Sequence, residues 1–113
     1  MYRIAGTVIK GDQYGRKLGF PTINLEIDNK IELEQGVYSG IVIMAGKEYR
    51  AGIVIGPKIN EKNKVEAHLI GYNGNAYGQD VLLEVEKFLR EYKSFDTEEE
   101  LINQIKKDIE SCK

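Results

Sequence analysis

The chain has 113 residues, 42% of them hydrophobic and 30% charged, with a formal net charge of −2. That length suits one core and leaves no room for separate cofactor and substrate domains, the composition is that of a folding globular chain rather than a disordered one, and the charge provides no overall basic field for a polyanion. Cys112 is the only cysteine, which excludes an intrachain disulfide and a multi-cysteine zinc centre.

Tyr2, Ile4, Gly6 and Val8 alternate with polar positions, so a first strand is predicted over residues 2–8. Three glycines among residues 11–19, with Arg16 and Lys17 beside them, form a loop. The spacing is not that of a P-loop, which needs four residues between its glycines and a helix after Lys-Ser or Lys-Thr. Two readings stay open there: an anion cradle of backbone N–H groups, or a plain flexible loop. Pro21 holds Phe20 extended, and Ile23, Leu25 and Ile27 resume the period of two as a second strand.

Further strands are expected over residues 36–44, 48–55, 64–70 and 80–89, with turns between them. Because no helical crossover of the length a parallel sheet needs is present, six short strands predict a closed or half-closed antiparallel barrel. After Phe95 the period changes. Thr97-Glu98-Glu99-Glu100 has the form of a capping box, and Leu101, Ile105 and Ile109, widened by Ile102 and Cys112, make the apolar stripe of a C-terminal helix.

Three groups on this frame are candidates for chemistry. Thr22 and Asn24 share a strand face and offer paired neutral oxygens to a hard cation partly neutralised by phosphate, or else bond to nearby backbone. Glu66 and His68 share a face opposite Val65, Ala67 and Leu69, and form either a base with its neighbour or an exposed polar strand face. Arg90, Lys93 and Phe95 combine cations with an aromatic ring between the last strand and the helix.

In order along the chain stand Gly6-Thr7-Val8, Gly11, Gly15-Arg16-Lys17-Leu18-Gly19-Phe20-Pro21-Thr22-Ile23-Asn24-Leu25, Gly36-Val37-Tyr38, Glu66-Ala67-His68, Tyr77-Gly78, Arg90, Lys93-Ser94-Phe95, and Gln104-Ile105 with Asp108. This series resembles the riboflavin kinases, including the kinase domain of bacterial bifunctional FAD synthetases, over essentially the whole chain. The resemblance implies a six-stranded antiparallel barrel with a C-terminal helix, spanning residues 1–113 as one domain. It implies transfer of the ATP γ-phosphoryl group to the ribityl hydroxyl of riboflavin, giving FMN and ADP with Mg²⁺ as cofactor; CTP or GTP remain open as donors.

On that resemblance the loop with Gly11, Gly15 and Arg16 covers the phosphates, and Thr22 and Asn24 hold the metal and the β,γ-phosphates. Glu66 is the base, Leu69, Gly71 and Tyr77 border the nucleotide, and Arg90, Lys93 and Phe95 contact the flavin. A cytoplasmic monomer with no nucleic-acid or membrane partner is expected. The bifunctional relatives carry an adenylyltransferase domain that this sequence lacks, so either another protein makes FAD or the sequence is an excised piece. The chain departs from the family pattern at Val54-Ile55-Gly56-Pro57-Lys58-Ile59, where Asn precedes the Ile-Gly pair and the loop is longer, and at Gly74-Asn75-Ala76, where an acidic residue is common. These departures keep a second reading open: a catalytically silent flavin- or nucleotide-binding module on the same barrel.

Overall fold

The computed structural model describes residues 2–10, 22–27, 30–59, 62–72, 76–93 and 95–113. Their elements are six strands and one helix: β1 (Tyr2–Ile9), β2 (Ile23–Glu26), β3 (Gly36–Met44), β4 (Lys47–Ile59), β5 (Lys62–Leu69), β6 (Asp80–Arg90) and α1 (Glu98–Cys112). The strands close into an antiparallel barrel in the order β1-β2-β5-β4-β3-β6, with β6 returning to β1. Closure leaves no free sheet edge, which is how so small a β-structure avoids pairing with other chains.

Alternation fixes what fills the barrel. Ile4 and Val8, Val42 and Met44, Ala51, Ile53 and Ile55, Val65, Ala67 and Leu69, and Val81, Leu83 and Val85 are all buried and belong to one core. Residues 30–35 cross one end of it, with Ile31 in the core. The Glu32 N–H donates to Tyr2 Oη at 3.0 Å and Tyr38 Oη donates to the Glu34 carbonyl at 2.8 Å, so two tyrosines hold this crossing by their polar ends. Gly40 is where β3 and β6 approach too closely for a side chain: a methyl group there would run into the Glu84 carbonyl oxygen.

The β3–β4 hairpin turns at Ala45 and Gly46, both with positive φ (51° and 77°), the twist a two-residue hairpin requires. The next hairpin differs from the sequence expectation. Residues 56–63 are expected as the turn between two strands, yet β4 runs on to Ile59 and β5 starts at Lys62. The pairing shifts register between Ile55 and Lys58, so Gly56 and Pro57 take no partner on β5 and the ladder resumes beyond the proline. Asn63 Nδ2 donates to the Gly56 carbonyl at 3.0 Å and secures the shift.

Thr97 caps α1, its Oγ1 accepting from the Glu100 N–H at 3.2 Å, and Glu98, Glu99 and Glu100 place negative charge at the positive end of the helix dipole. The helix packs against the outer faces of β4 and β3. Its C-terminal end is seated on Gly52, where a methyl group would meet Cys112 Sγ at 3.4 Å, and Arg50 Nε donates to the Cys112 carbonyl at 2.9 Å. Under this cover Val37 and Ser39 are buried, although neither belongs to the central cluster. Among the described residues no helix is long and apolar enough to cross a membrane.

Candidate functional site

Register places Asn24 and Glu66 on the outer face of the barrel. Asn24 lies directly opposite Glu66 in the β2–β5 pair, while their neighbours Leu25 and Val65 face one another in the core. Facing positions on antiparallel strands have Cα atoms about 5 Å apart, so an amide and a carboxylate 42 residues apart in the chain share one small patch. The cross-strand row continues from Asn24 through Glu66, Val54 and Val37 to Arg90, taking in strands β2, β5, β4, β3 and β6. Because barrel strands tilt, this row climbs from one rim to the other. Three inter-strand steps separate Glu66 from Arg90, roughly 14 Å along the surface.

At the Asn24 end, Ile9 is the partner of Asn24 on β1 and is exposed. Asn24 is only 8% exposed, one of two buried polar residues among those described, and Thr22 stands half-buried just before β2. Gly78 N–H donates to the Val8 carbonyl at 2.9 Å, which brings the turn carrying exposed Tyr77 beside the end of β1. Gly71 follows β5 with φ of 82° and open space around it. Leu69, expected at the border of the nucleotide, points its side chain into the barrel core, by the same alternation that sends Glu66 and His68 outward. Gly11, Gly15 and Arg16 lie outside the described residues.

Glu66 is half-buried, with its side chain 23% exposed, and Lys64 Nζ lies 3.0 Å from its Oε1. The two residues sit on the same outer face of β5, two positions apart. His68 shares this face and lies opposite Gly52 on β4. No group of three or more His, Cys, Asp or Glu side chains converges among the described residues. Register sets Asn24 across from Glu66, and Thr22 stands two residues before Asn24. Neutral oxygens of the kind Thr22 and Asn24 carry suit a hard divalent cation that draws its remaining ligands from phosphate and water.

At the other end Arg90, Lys93 and Phe95 do come together. The Arg90 guanidinium carbon lies 5.7 Å and Lys93 Nζ 5.1 Å from the Phe95 ring centroid. The Arg90 donors are largely spent on the helix: Nε and Nη2 donate to Asp108 at 3.0 and 2.8 Å, and Nη1 to the Glu91 carbonyl at 3.1 Å. Gln104 Nε2 donates to the same carboxylate at 3.0 Å. Tyr92 was not legible as part of this region. Tyr92 is 42% exposed and its ring lies 3.8 Å from where a Gly56 side chain would begin, which sets the segment after β6 beside β4.

The family model for riboflavin kinase (Flavokinase) matches residues 1–113. The "RNA-binding riboflavin kinase RibR" of Bacillus subtilis is 42% identical over 96% of this chain and 48% of its own length. A bifunctional riboflavin kinase/FMN adenylyltransferase of Haemophilus influenzae is 36% identical over 99% of this chain and 38% of its own length. The chain thus spans less than half of these curated relatives. Among solved structures, a protein from Streptococcus pneumoniae described as a macrolide-efflux protein superposes with a TM-score of 0.91 at 27% identity, over 97% of this chain and 38% of its own. The riboflavin kinase of Trypanosoma brucei shares the fold, with a TM-score of 0.72 at 24% identity over 97% of this chain and 76% of its own. With a family model matched from end to end, over a six-stranded barrel closed by a C-terminal helix, this chain belongs to the riboflavin kinase family.

Proposed function

We propose that this chain phosphorylates riboflavin to FMN, with Glu66 as the general base and the outer face from Asn24 and Glu66 past Val54 toward Phe95 as the substrate track. The observation that carries the reading is the pairing of Asn24 with Glu66, which unites an oxygen donor for a metal–triphosphate with a carboxylate for the acceptor hydroxyl. Thr22 and Asn24 would hold Mg²⁺, which when bound neutralises charge on the β- and γ-phosphates. The nucleotide lies toward Ile9, Gly71 and Tyr77, with ATP as the expected donor. The flavin ring lies toward Phe95, with Lys93 at its polar edge. Arg90, already bonded to Asp108, holds that end of the track in place.

In the reaction the ribityl hydroxyl gives its proton to the Glu66 carboxylate as its oxygen bonds to the γ-phosphorus. The bond from that phosphorus to the β,γ-bridging oxygen breaks, and its electron pair leaves with ADP. Phosphoryl transfer demands alignment and charge stabilisation more than covalent help, so a track that sets the hydroxyl beside the base and in line with the triphosphate performs most of the work.

Purified protein with riboflavin, ATP and MgCl₂ tests this directly, with FMN followed by chromatography and CTP and GTP run in parallel. Glu66→Gln should lower kcat by about two to four orders of magnitude while riboflavin still binds. Thr22→Ala should raise the Mg²⁺ requirement without lowering the melting temperature appreciably. Wild-type turnover by Glu66→Gln removes that residue from the chemistry. Flavin binding with no product under any nucleotide favours a silent module instead, the reading that Val54, apolar in the middle of the track, supports.

A further inference from the structure

We infer that Lys64 is a positioning residue for phosphoryl transfer: its ammonium holds one oxygen of Glu66 so that the other faces the acceptor hydroxyl. The inference rests on the reading of Glu66 as the base. Lys64 Nζ lies 3.0 Å from Glu66 Oε1, and the side chains are 45% and 23% exposed. A glutamate on a strand face has three rotatable bonds and loses activity as a base whenever it turns from its target; a fixed cation on one oxygen selects among its orientations.

Lys64 stands at the register shift between β4 and β5, between the paired residues Asn63 and Val65. Gly56 on β4 lies so close that a methyl group there would meet Lys64 Cβ at 3.4 Å and its carbonyl oxygen at 3.3 Å. Glycine at position 56 thus leaves room for the base of the lysine side chain on its β4 side, and Tyr92 lies near the same glycine. The ammonium acts through the carboxylate and accepts no proton in the reaction. Since the pair is partly exposed, its effect is bounded: orientation worth a modest factor, not the whole of catalysis.

Lys64→Met should lower kcat about threefold to tenfold, with the KM values for riboflavin and ATP little changed, and Lys64→Arg should recover most of that loss. In the Glu66→Gln background the same Lys64→Met change should cost nothing further, since there is no carboxylate left to orient. Equal melting temperatures for the Lys64 variants and the parent protein check that folding is unaffected. The inference is overturned by unchanged kcat in Lys64→Met, by a raised ATP KM at unchanged kcat, which marks a phosphate-binding lysine, or by a full additional loss in the Glu66→Gln background. A crippled Glu66→Gln with a normal Lys64→Met refutes only the role of the lysine. A normal Glu66→Gln refutes the base itself.

Discussion

Asp108→Ala tests whether the helix holds the flavin end of the track. In the folded protein this carboxylate accepts from Arg90 Nε and Nη2 at 3.0 and 2.8 Å and from Gln104 Nε2 at 3.0 Å, with side chains only 14% exposed for Asp108 and 21% for Arg90. Removing one partner of a fully buried pair costs about 3–5 kcal/mol, and an exposed pair is worth about 0–1 kcal/mol. Intermediate exposure puts Asp108→Ala near 2 kcal/mol, roughly. Unfolding a chain of 113 residues has an entropy of about 0.24 kcal/mol/K, so Tm should fall by about 8 °C. Asp108→Asn, which keeps hydrogen-bonding capacity but not charge, should fall by about half as much. Glu110→Ala is the control, since its pair with Lys113 is 73% and 55% exposed and should barely move Tm. Calorimetry reads the stability, and riboflavin fluorescence titration reads the site. Riboflavin affinity should weaken several-fold in Asp108→Ala as Arg90 leaves its position beside Phe95. A Tm loss no larger than that of Glu110→Ala, or unchanged flavin affinity, refutes the argument.

Two further outcomes follow from the core. Burial, aided by Asp108 and opposed by Arg50, pushes the Cys112 thiol up to about 11 from an ordinary 9.0. The native state therefore keeps this proton between about pH 9 and 11 while the unfolded chain loses it, so the stability is intact below pH 9 and falls as pH rises through that window. Tyr38, raised by burial and then by Glu34, acts in the same direction; Cys112→Ala should remove part of the alkaline slope, and an identical slope by denaturant titration excludes the thiol as a cause. Gly40→Ala should cost about 2 kcal/mol or more, because the added methyl meets the Glu84 carbonyl, whereas Gly46→Ala, with open space but a φ of 77°, should cost about 1 kcal/mol. Chemical denaturation separates the two, and equal losses would mean the β3–β6 contact yields easily.

What the sequence determined by itself was local. A period of two located the six strands, the period of α1 and its Thr97 cap located the helix, and alternation placed Thr22 with Asn24 and Glu66 with His68. Those signals depend on neighbouring residues alone. Lys64 was equally near to Glu66 in sequence, but a Lys-x-Glu pair on a strand face is too common to single out. The tertiary structure alone decided which strand lies beside which, and with it the alignment of Asn24 with Glu66, the capture of Arg90 by Asp108 and the return of Tyr92 to Gly56. It also carried β4 past Pro57 by a register shift. Register in a closed barrel is set by all six strands at once, since a slip in one pair must be absorbed around the ring, and no local run of residues contains that constraint.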